Sequence, residues 1–579
     1  MIFTQHYLAC LSHASYLIGD ETTGRAVVVD PRRDVAAYLE EAAAEGLMIE
    51  RVIETHLHAD FLSGHLELAA ATGAIIAFGE GAAVDFPTES LSHGQRLELG
   101  EVTLEIRATP GHTPESISVV VYEHPGDEHP YGVLTGDTLF VGDVGRPDLL
   151  ASQGTGYDAE TLGRLLYRSL HEQLLVLPDA TRVFPAHGAG SSCGKQLSSE
   201  TSSTIGEQRR TNYALQPMTE AQFVAAVTEG QPVRPHYFTF DAQRNREDRP
   251  LLDETETPPA LTLSDVLQAV AGGAIALDTR EPADFAAGHL RGALNVGLEG
   301  RFAEWAGDVL HPTRDVVLVG DPAAALESRV RLSRIGFDRV VGHLADPSEL
   351  FFDRPDLVEA SSRVTIEQLA ELVGLEPALQ LVDVRNPGET AEGTLQGATL
   401  IPLPVLVDAV DQLDRDAPVV VSCASGYRSV VAASLLRNAG FADVSDLIGG
   451  YGAWTVAGLP VETAEAPPVH AAEVSPNEAE GLLAAGAELL DVREPDEWAA
   501  GHAPGARCVP MRRVESRVDE LAAGHVAVVV CRSGGRSNTI AQLLCARGVD
   551  AVNLAGGMRA WASAGLPVVT ETGAPGRVI

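Results

Sequence analysis

Several residues in the N-terminal part of the chain have the types and grouping of metal ligands. His56, His58 and Asp60 stand together in "ETHLHADFLSGH" (54–65), His112 lies in "TPGHT", Asp137 in "TGDTLF" and His187 in "PAHG". Imidazole nitrogens and carboxylate oxygens suit a divalent transition metal, and loops of this kind recurring in one region imply a metal centre rather than scattered structural histidines. The residue after Asp60 is the apolar Phe61. Downstream, Lys195 is the one lysine of the chain and has Cys193 beside it. A cation there is expected to bind an anionic substrate group. Arg209 and Arg210 are read by default as surface residues, with anion binding as the alternative.

A second chemistry is written in cysteines. Cys423 opens "CASGYRS" and Cys531 opens "CRSGGRS", each after an apolar run and before a helix. That geometry converges backbone N–H groups on the sulfur. With Arg428 and Arg536 five residues on, it should depress the thiol pKa and give a thiolate nucleophile. Arg532 adds a further cation at the second loop.

Elements must hold these groups in place. Up to residue 246, β-like runs such as "RAVVVD", "TLEIRAT" and "ISVVVY" alternate with loops that end in His, Asp or Gly, so a sheet framework presents the ligands from its loops. The acidic, proline-bearing "EDRPLLDETETPPA" (247–260) reads as a linker. After it the sequence repeats: "IALDTREPADFAAGHLRGALNV" (275–296), "LVDVRNPGETAEGTLQGATLIP" (381–402) and "LLDVREPDEWAAGHAPGARCVP" (489–510). Each unit reads as strand, turn, helix, strand, glycine-rich loop, helix, an α/β domain with a parallel sheet. The domains are expected at 261–355, 362–463 and 471–570, with "TAEAPPVH" (463–470) joining the last two. In the first copy Val319 takes the cysteine position and the closing "GG…W" is missing, so this unit is expected to be structural, a wedge between its neighbours. The last copy is expected to be the main catalyst, because it has Arg532 and keeps His502 where the middle copy has Thr394. Cys508 and Cys545 lie outside the loops and are read as packing residues.

Composition narrows the field. A formal net charge of −40 over 579 residues argues against a nucleic-acid partner. No apolar run reaches membrane-span length, and the N-terminus lacks a basic signal region. Six cysteines in so long a chain do not make a disulfide framework, which fits a cytoplasmic protein. A homo-oligomer, dimer or tetramer, is expected.

"THLHAD…GH", "TPGHT", "TGDTLF" and "PAHG" together resemble the metallo-β-lactamase superfold, an αββα sandwich. That superfold's pattern implies one site at His56, His58 and His112, with Asp137 reaching it. A second would be Asp60, residue 61, His187 and Asp137, but Phe61 stands where that metal needs a histidine. "FVGDVGRPDL" and "HGAGSSCGKQ" resemble the persulfide dioxygenase–rhodanese fusions. The resemblance implies a single Fe(II) on His56, His112 and Asp137. His58, Asp60 and His187 then become surrounding groups or remnants of a second site, and Arg146, Cys193 and Lys195 substrate-binding groups. "DVR…P", the cysteine loops and "GGxxAW" resemble rhodanese sulfurtransferases. Their C-x₄-R spacing is shorter than the C-x₅-R of related phosphatases, which favours sulfur over phosphoryl transfer. The implied function is bifunctional. A low-molecular-weight persulfide, such as glutathione persulfide, would be oxidised by O₂ to sulfite and thiol, and a rhodanese cysteine would form or consume thiosulfate. The alternative is a zinc-dependent glyoxalase II-like thioester hydrolase fused to sulfurtransferase domains.

Overall fold

The computed structural model describes residues 1–579 except 150–155, 346, 348–352, 377, 392, 463–471, 515–525, 547–548, 571 and 579. The join expected at 463–470 therefore lies outside the described residues. The chain forms two compact units, Met1–Glu462 and Thr463–Ile579. Among the described residues no helix is long and apolar enough to cross a membrane.

Period-two alternation builds the N-terminal layers. In the strand Arg25–Val29, Val27 and Val29 join the core between two sheets, while Ala26 and Val28 face the helix Ala36–Ala44 through Tyr38 and Ala42. In Ile117–Tyr122, Val119 and Val121 face the same inter-sheet core, and Val120 and Tyr122 pack under the helix Ala159–Ser169. The result is helix, sheet, sheet, helix. One six-stranded sheet runs in sequence order from Ile2–Leu8 to Glu89–Leu91; the other runs from Ser203–Thr204 back to Arg96–Glu98.

The three repeats each centre on a parallel sheet. The middle copy orders its strands Ser362–Val364, Val444–Leu447, Val419–Ser422, Gln380–Asp383, Thr399–Leu400, and the last copy repeats that order from Ala472–Val474 to Arg507–Cys508. The first copy has four strands, and Ala260 bridges His343 at the edge where the others have a fifth. Register corrects the alignment of that copy by one residue. Val319 pairs with Asp278 as Ser422 pairs with Asp383 and Val530 with Asp491. The cysteine position is therefore Gly320, not Val319. Two residues later the helix Pro322–Ser333 begins, capped by Asp321, whose carboxylate accepts from Ala323 and Ala324 N–H at 2.9 Å. In the middle copy the helix starts at Arg428, five residues after its cysteine. The first copy has lost the loop as well as the thiol.

Within the first unit this copy is packed against both neighbours. One apolar core runs from Phe61, Phe140 and Tyr237 through Phe302, Ala306 and Ile335 to Leu403, Val421 and Leu436. Arg334 pairs with Asp34 at 2.8 Å, and its carbonyl accepts from Leu62 N–H at 2.7 Å. On the other side Asn438 donates to Gly292 O at 2.8 Å. The stretch 247–260 is pinned as well: Arg249 is buried on Glu67 at 2.7 Å.

Candidate active sites

Strand ends bring the N-terminal groups to one edge of the sandwich. His56 follows Met48–Glu54, Asp137 follows Gly132–Gly136, His187 follows Arg182–Pro185, and His112 lies between Thr103–Ala108 and Ile117–Tyr122. His56, His112 and Asp137 are buried with their ligand atoms within 4.8 Å of one another. His56 Nε2 and Asp137 Oδ2 are buried without a hydrogen-bond partner, 3.8 Å apart, and His112 Nε2 lies 3.5 Å from the same oxygen. Bare, convergent nitrogen and oxygen atoms are what a metal ion requires, so the residues fit one.

Hydrogen bonds behind the ligands set their tautomers. His112 Nδ1 donates to Arg146 O at 2.9 Å, leaving its Nε2 lone pair inward. Thr55 Oγ1 donates to Asp30 at 2.8 Å and so can only accept from His56 Nδ1 at 3.0 Å, which again bares Nε2. Burial, then the neighbouring His58 and His112, hold the His56 pKa well below the ordinary value. The loop that carries these groups leaves no room at Gly145, where a Cβ would fall 1.8 Å from Asp137 O.

His58 is turned away from this cluster. Its Nε2 lies 3.1 Å from Asp30 and 3.3 Å from Glu54. Burial opposes its charge, but the two carboxylates outweigh burial and lift its pKa to about 10. Its Nε2 is thus turned to the two carboxylates, while its Nδ1 is buried without a hydrogen-bond partner. His187 bridges Asp137 Oδ1 and Asp60 Oδ2, both at 2.7 Å, and these carboxylates outweigh burial to hold its pKa well above the usual value. Asp60, His187 and Cys193 form a second buried cluster. Burial first, then Asp60 and Asp137, push the Cys193 thiol well up, so it stands there neutral. Phe61 is fully buried against the rings of His13 and His58, with centroids at 4.0 and 4.4 Å.

The cysteine loops are near-replicas. Gly426 N–H donates to Cys423 Sγ at 3.1 Å and Gly534 N–H to Cys531 Sγ at 3.2 Å; Cys423 Sγ donates to Ser429 Oγ at 3.6 Å, and Ser537 Oγ donates to Cys531 Sγ at 3.3 Å. For Cys531 burial is outweighed by the Ser537 hydroxyl and the N–H groups of Ser537, Ser533 and Gly534, which lower the thiol pKa. The arginines are engaged elsewhere: Arg428 grips Glu389 at 2.8 and 2.6 Å, Arg536 grips Glu497 at 2.8 and 2.7 Å. At Cys531 the Ser537 hydroxyl and the loop amides lead the lowering, where the sequence shared the effect between amides and arginine. Glycine is required beneath each loop, at Gly450 (φ 56) and Gly557 (φ 59), where a Cβ would lie 2.2 and 2.4 Å from the cysteine carbonyl oxygen.

Residues 8–187 match the metallo-beta-lactamase superfamily, and 262–346, 365–457 and 475–564 each match the rhodanese-like domain. The mitochondrial persulfide dioxygenase ETHE1 of Bos taurus is 31% identical over 235 residues, 40% of this chain and 82% of the relative. The chain belongs to the persulfide dioxygenase family of the metallo-beta-lactamase superfamily. Three rhodanese-like domains follow its family domain. A hydroxyacylglutathione hydrolase-like protein of Mus musculus is 32% identical over 30% of this chain and 56% of its own length. The crystal structure of a metallo-beta-lactamase from Staphylococcus aureus subsp. aureus COL superposes with a TM-score of 0.54 at 33% identity, covering 59% of this chain and 98% of that one.

Within this family member, Lys195 and Arg146, expected at the substrate, both have partners in the protein. Lys195 Nζ donates to Ala226 O at 2.5 Å and Glu229 O at 3.0 Å, closing the C-terminal end of the helix Glu220–Thr228. The buried Arg146 guanidinium grips Asp148 at 2.8 and 2.7 Å and donates to Ser192 O and Pro232 O. Its carbonyl orients His112. Arg209 and Arg210 pair with Asp179 and Glu207 on the surface. His502 stacks on Trp498 at 3.6 Å with its Nδ1 on Trp498 O. Cys193, by contrast, does reach the metal-side cluster. Glu389, Glu497, Ser429, Ser537, Asp30 and Asn245 were not singled out from sequence. Asn245 ties the metal loop by donating to His58 O and Phe61 O at 2.9 and 2.8 Å. Repetition held a signal for the glutamates: "NPGET" and "EPDEW" place each 39 residues before its arginine.

Proposed function

We propose that the N-terminal domain is a mononuclear Fe(II) persulfide dioxygenase and that the last two domains are sulfurtransferases acting through Cys423 and Cys531. The observation that carries the reading is the set of three convergent atoms on His56, His112 and Asp137, with His58 diverted and Phe61 in place of a donor. Two histidines and one carboxylate form a facial triad with open positions. Iron held by His56, His112 and Asp137 would supply the redox chemistry between O₂ and the outer sulfur of a persulfide. With a low-molecular-weight persulfide such as glutathione persulfide, one O₂ and one water convert RSSH to RSH, sulfite and protons; the outer sulfur is oxidised and O₂ is the oxidant. Thr55, Arg146 O and His187 hold the three ligands in their ligating forms, and Phe61 packs an apolar ring against His13 and His58. The rhodanese cysteines would then form or consume thiosulfate, as suits sulfide oxidation. Sharing one chain raises the local concentration of sulfite at the acceptor.

The hydrolase-like relative and the second cluster, Asp60 with His187, favour one competing reading, a zinc thioester hydrolase. Metal content of anaerobically purified protein and oxygen uptake on glutathione persulfide decide between them; zinc with no persulfide-dependent uptake would sink the dioxygenase. Asp137→Ala should abolish metal binding and leave cyanide-dependent sulfur transfer from thiosulfate intact. Loss of both activities would refute the separation of the two chemistries.

A further inference from the structure

The two cysteine loops have the same backbone, so each is a control for the other. Tyr451 N–H donates to Cys423 O and Met558 N–H to Cys531 O, both at 2.7 Å. Gly452 N–H donates to Ala424 O at 3.0 Å, and Arg559 N–H to Arg532 O at 3.1 Å. Both loops carry the same Arg–Glu clamp. Besides Tyr427 against Gly535 and Tyr451 against Met558, what differs is the side chains at the positions joined by that last bond: Ala424 and Gly452 in one copy, Arg532 and Arg559 in the other. Both arginines are exposed, and neither guanidinium has a hydrogen bond or ion pair among the described residues.

The Cys423 loop opens differently. Ala424, Ser425 and Tyr427 line a cavity of 620 Å³ whose facing wall is the helix Phe302–Val309 of the cysteine-free repeat. Trp305 stacks on Tyr427 at 5.8 Å and 25°, and Glu304 and Asp308 add carboxyl groups. Every cation lining this space has a partner: Arg428 holds Glu389, Arg385 holds Asp383, Arg301 holds Glu304, and Lys195 is bound to carbonyls. A donor with a doubly charged group next to its transferable sulfur finds no unpaired cation here, and the Asp308 carboxyl also lines the space. At Cys531 it finds two free guanidinium groups.

We propose that the two loops divide sulfur donors by charge: Cys531, flanked by Arg532 and Arg559, takes inorganic oxyanion donors of the thiosulfate class, and Cys423, walled by the cysteine-free repeat, takes uncharged organic persulfides. This rests on the reading of both cysteines as sulfur acceptors. At Cys531 the thiolate attacks the outer sulfur of thiosulfate, the S–S bond breaks, and sulfite leaves with the electron pair. At Cys423 the same attack on RSSH forms the cysteine persulfide and releases RSH. Cyanide removes either outer sulfur as thiocyanate and returns the thiolate, so no outside oxidant or reductant enters. The cysteine-free repeat thereby gains a role, as a selectivity wall.

The test uses full-length protein under anaerobic conditions, cyanide as acceptor, and thiosulfate or the persulfide of 2-mercaptoethanol as donor. Cys531→Ser should lose about tenfold or more of the thiosulfate-supported rate while keeping the persulfide rate, and Cys423→Ser should do the reverse. In the Cys423→Ser background, Arg532→Ala with Arg559→Ala should raise the thiosulfate KM about tenfold and flatten its dependence on ionic strength. Unchanged thiosulfate kinetics in Cys531→Ser, or an unchanged KM and salt dependence in the double arginine variant, overturns the division. Wild-type protein that transfers sulfur from neither donor overturns the sulfurtransferase reading itself, and the division falls with it.

Discussion

A histidine offers a metal only the nitrogen that its other hydrogen bond leaves bare, and this sorts the residues of "THLHAD". Sequence presents His56 and His58 as equals. Thr55 and Asp30 leave the first with a bare Nε2, while Asp30 and Glu54 draw the Nε2 of the second to themselves. Candidate residues were therefore legible as types, and their roles were not, because the deciding partners come from distant strand ends. Phe61 was legible as a missing donor beside Asp60 and His187. Phe61→His should raise bound metal from about one toward two per folded chain, at a stability cost of about 2–4 kcal/mol for a polar ring in that core. Unchanged stoichiometry would remove Phe61 as the block. At Cys531 the Ser537 hydroxyl favours the thiolate. In Ser537→Ala the thiol pKa rises, so the acid limb of the pH–rate profile moves to higher pH and the rate at neutral pH falls about three- to tenfold. A superimposable profile would refute that contribution.

Helix starts decide what each repeat can do. The middle copy spends four residues between Cys423 and its helix, enough for Gly426 N–H to turn back onto the sulfur. The first copy has only Gly320 and the capping Asp321 before Pro322. Repeat frameworks were legible from "DVR…P" and the apolar runs. The exact cysteine position was not, because alignment counted back from "RIGF" cannot see where a loop has shortened; strand register can. Gly320→Cys should therefore give a thiol without the cradle: no cyanide-dependent sulfur transfer when tested with Cys423→Ser and Cys531→Ser. Activity in that triple variant would mean the amide cradle is dispensable.

Across the first unit, domain boundaries drawn from composition do not coincide with boundaries of the core. Phe61 and Tyr237 share one apolar cluster with Phe302 and Val421. Such a core predicts a single cooperative unfolding transition for a chain ending at Glu462, read by calorimetry. A chain ending at 260 would expose Tyr237 and Phe238 and aggregate; a monomeric, folded 1–260 fragment with full metal content would contradict this. The sequence could not announce it, because the cluster is assembled from segments hundreds of residues apart. The whole molecule also offers a single lysine side chain, and the fold places it across the end of one helix on two carbonyls. Amine-directed acylation thus interrogates one side chain in the chain, whose reactivity reports how often that helix end opens beside the loop bearing Cys193.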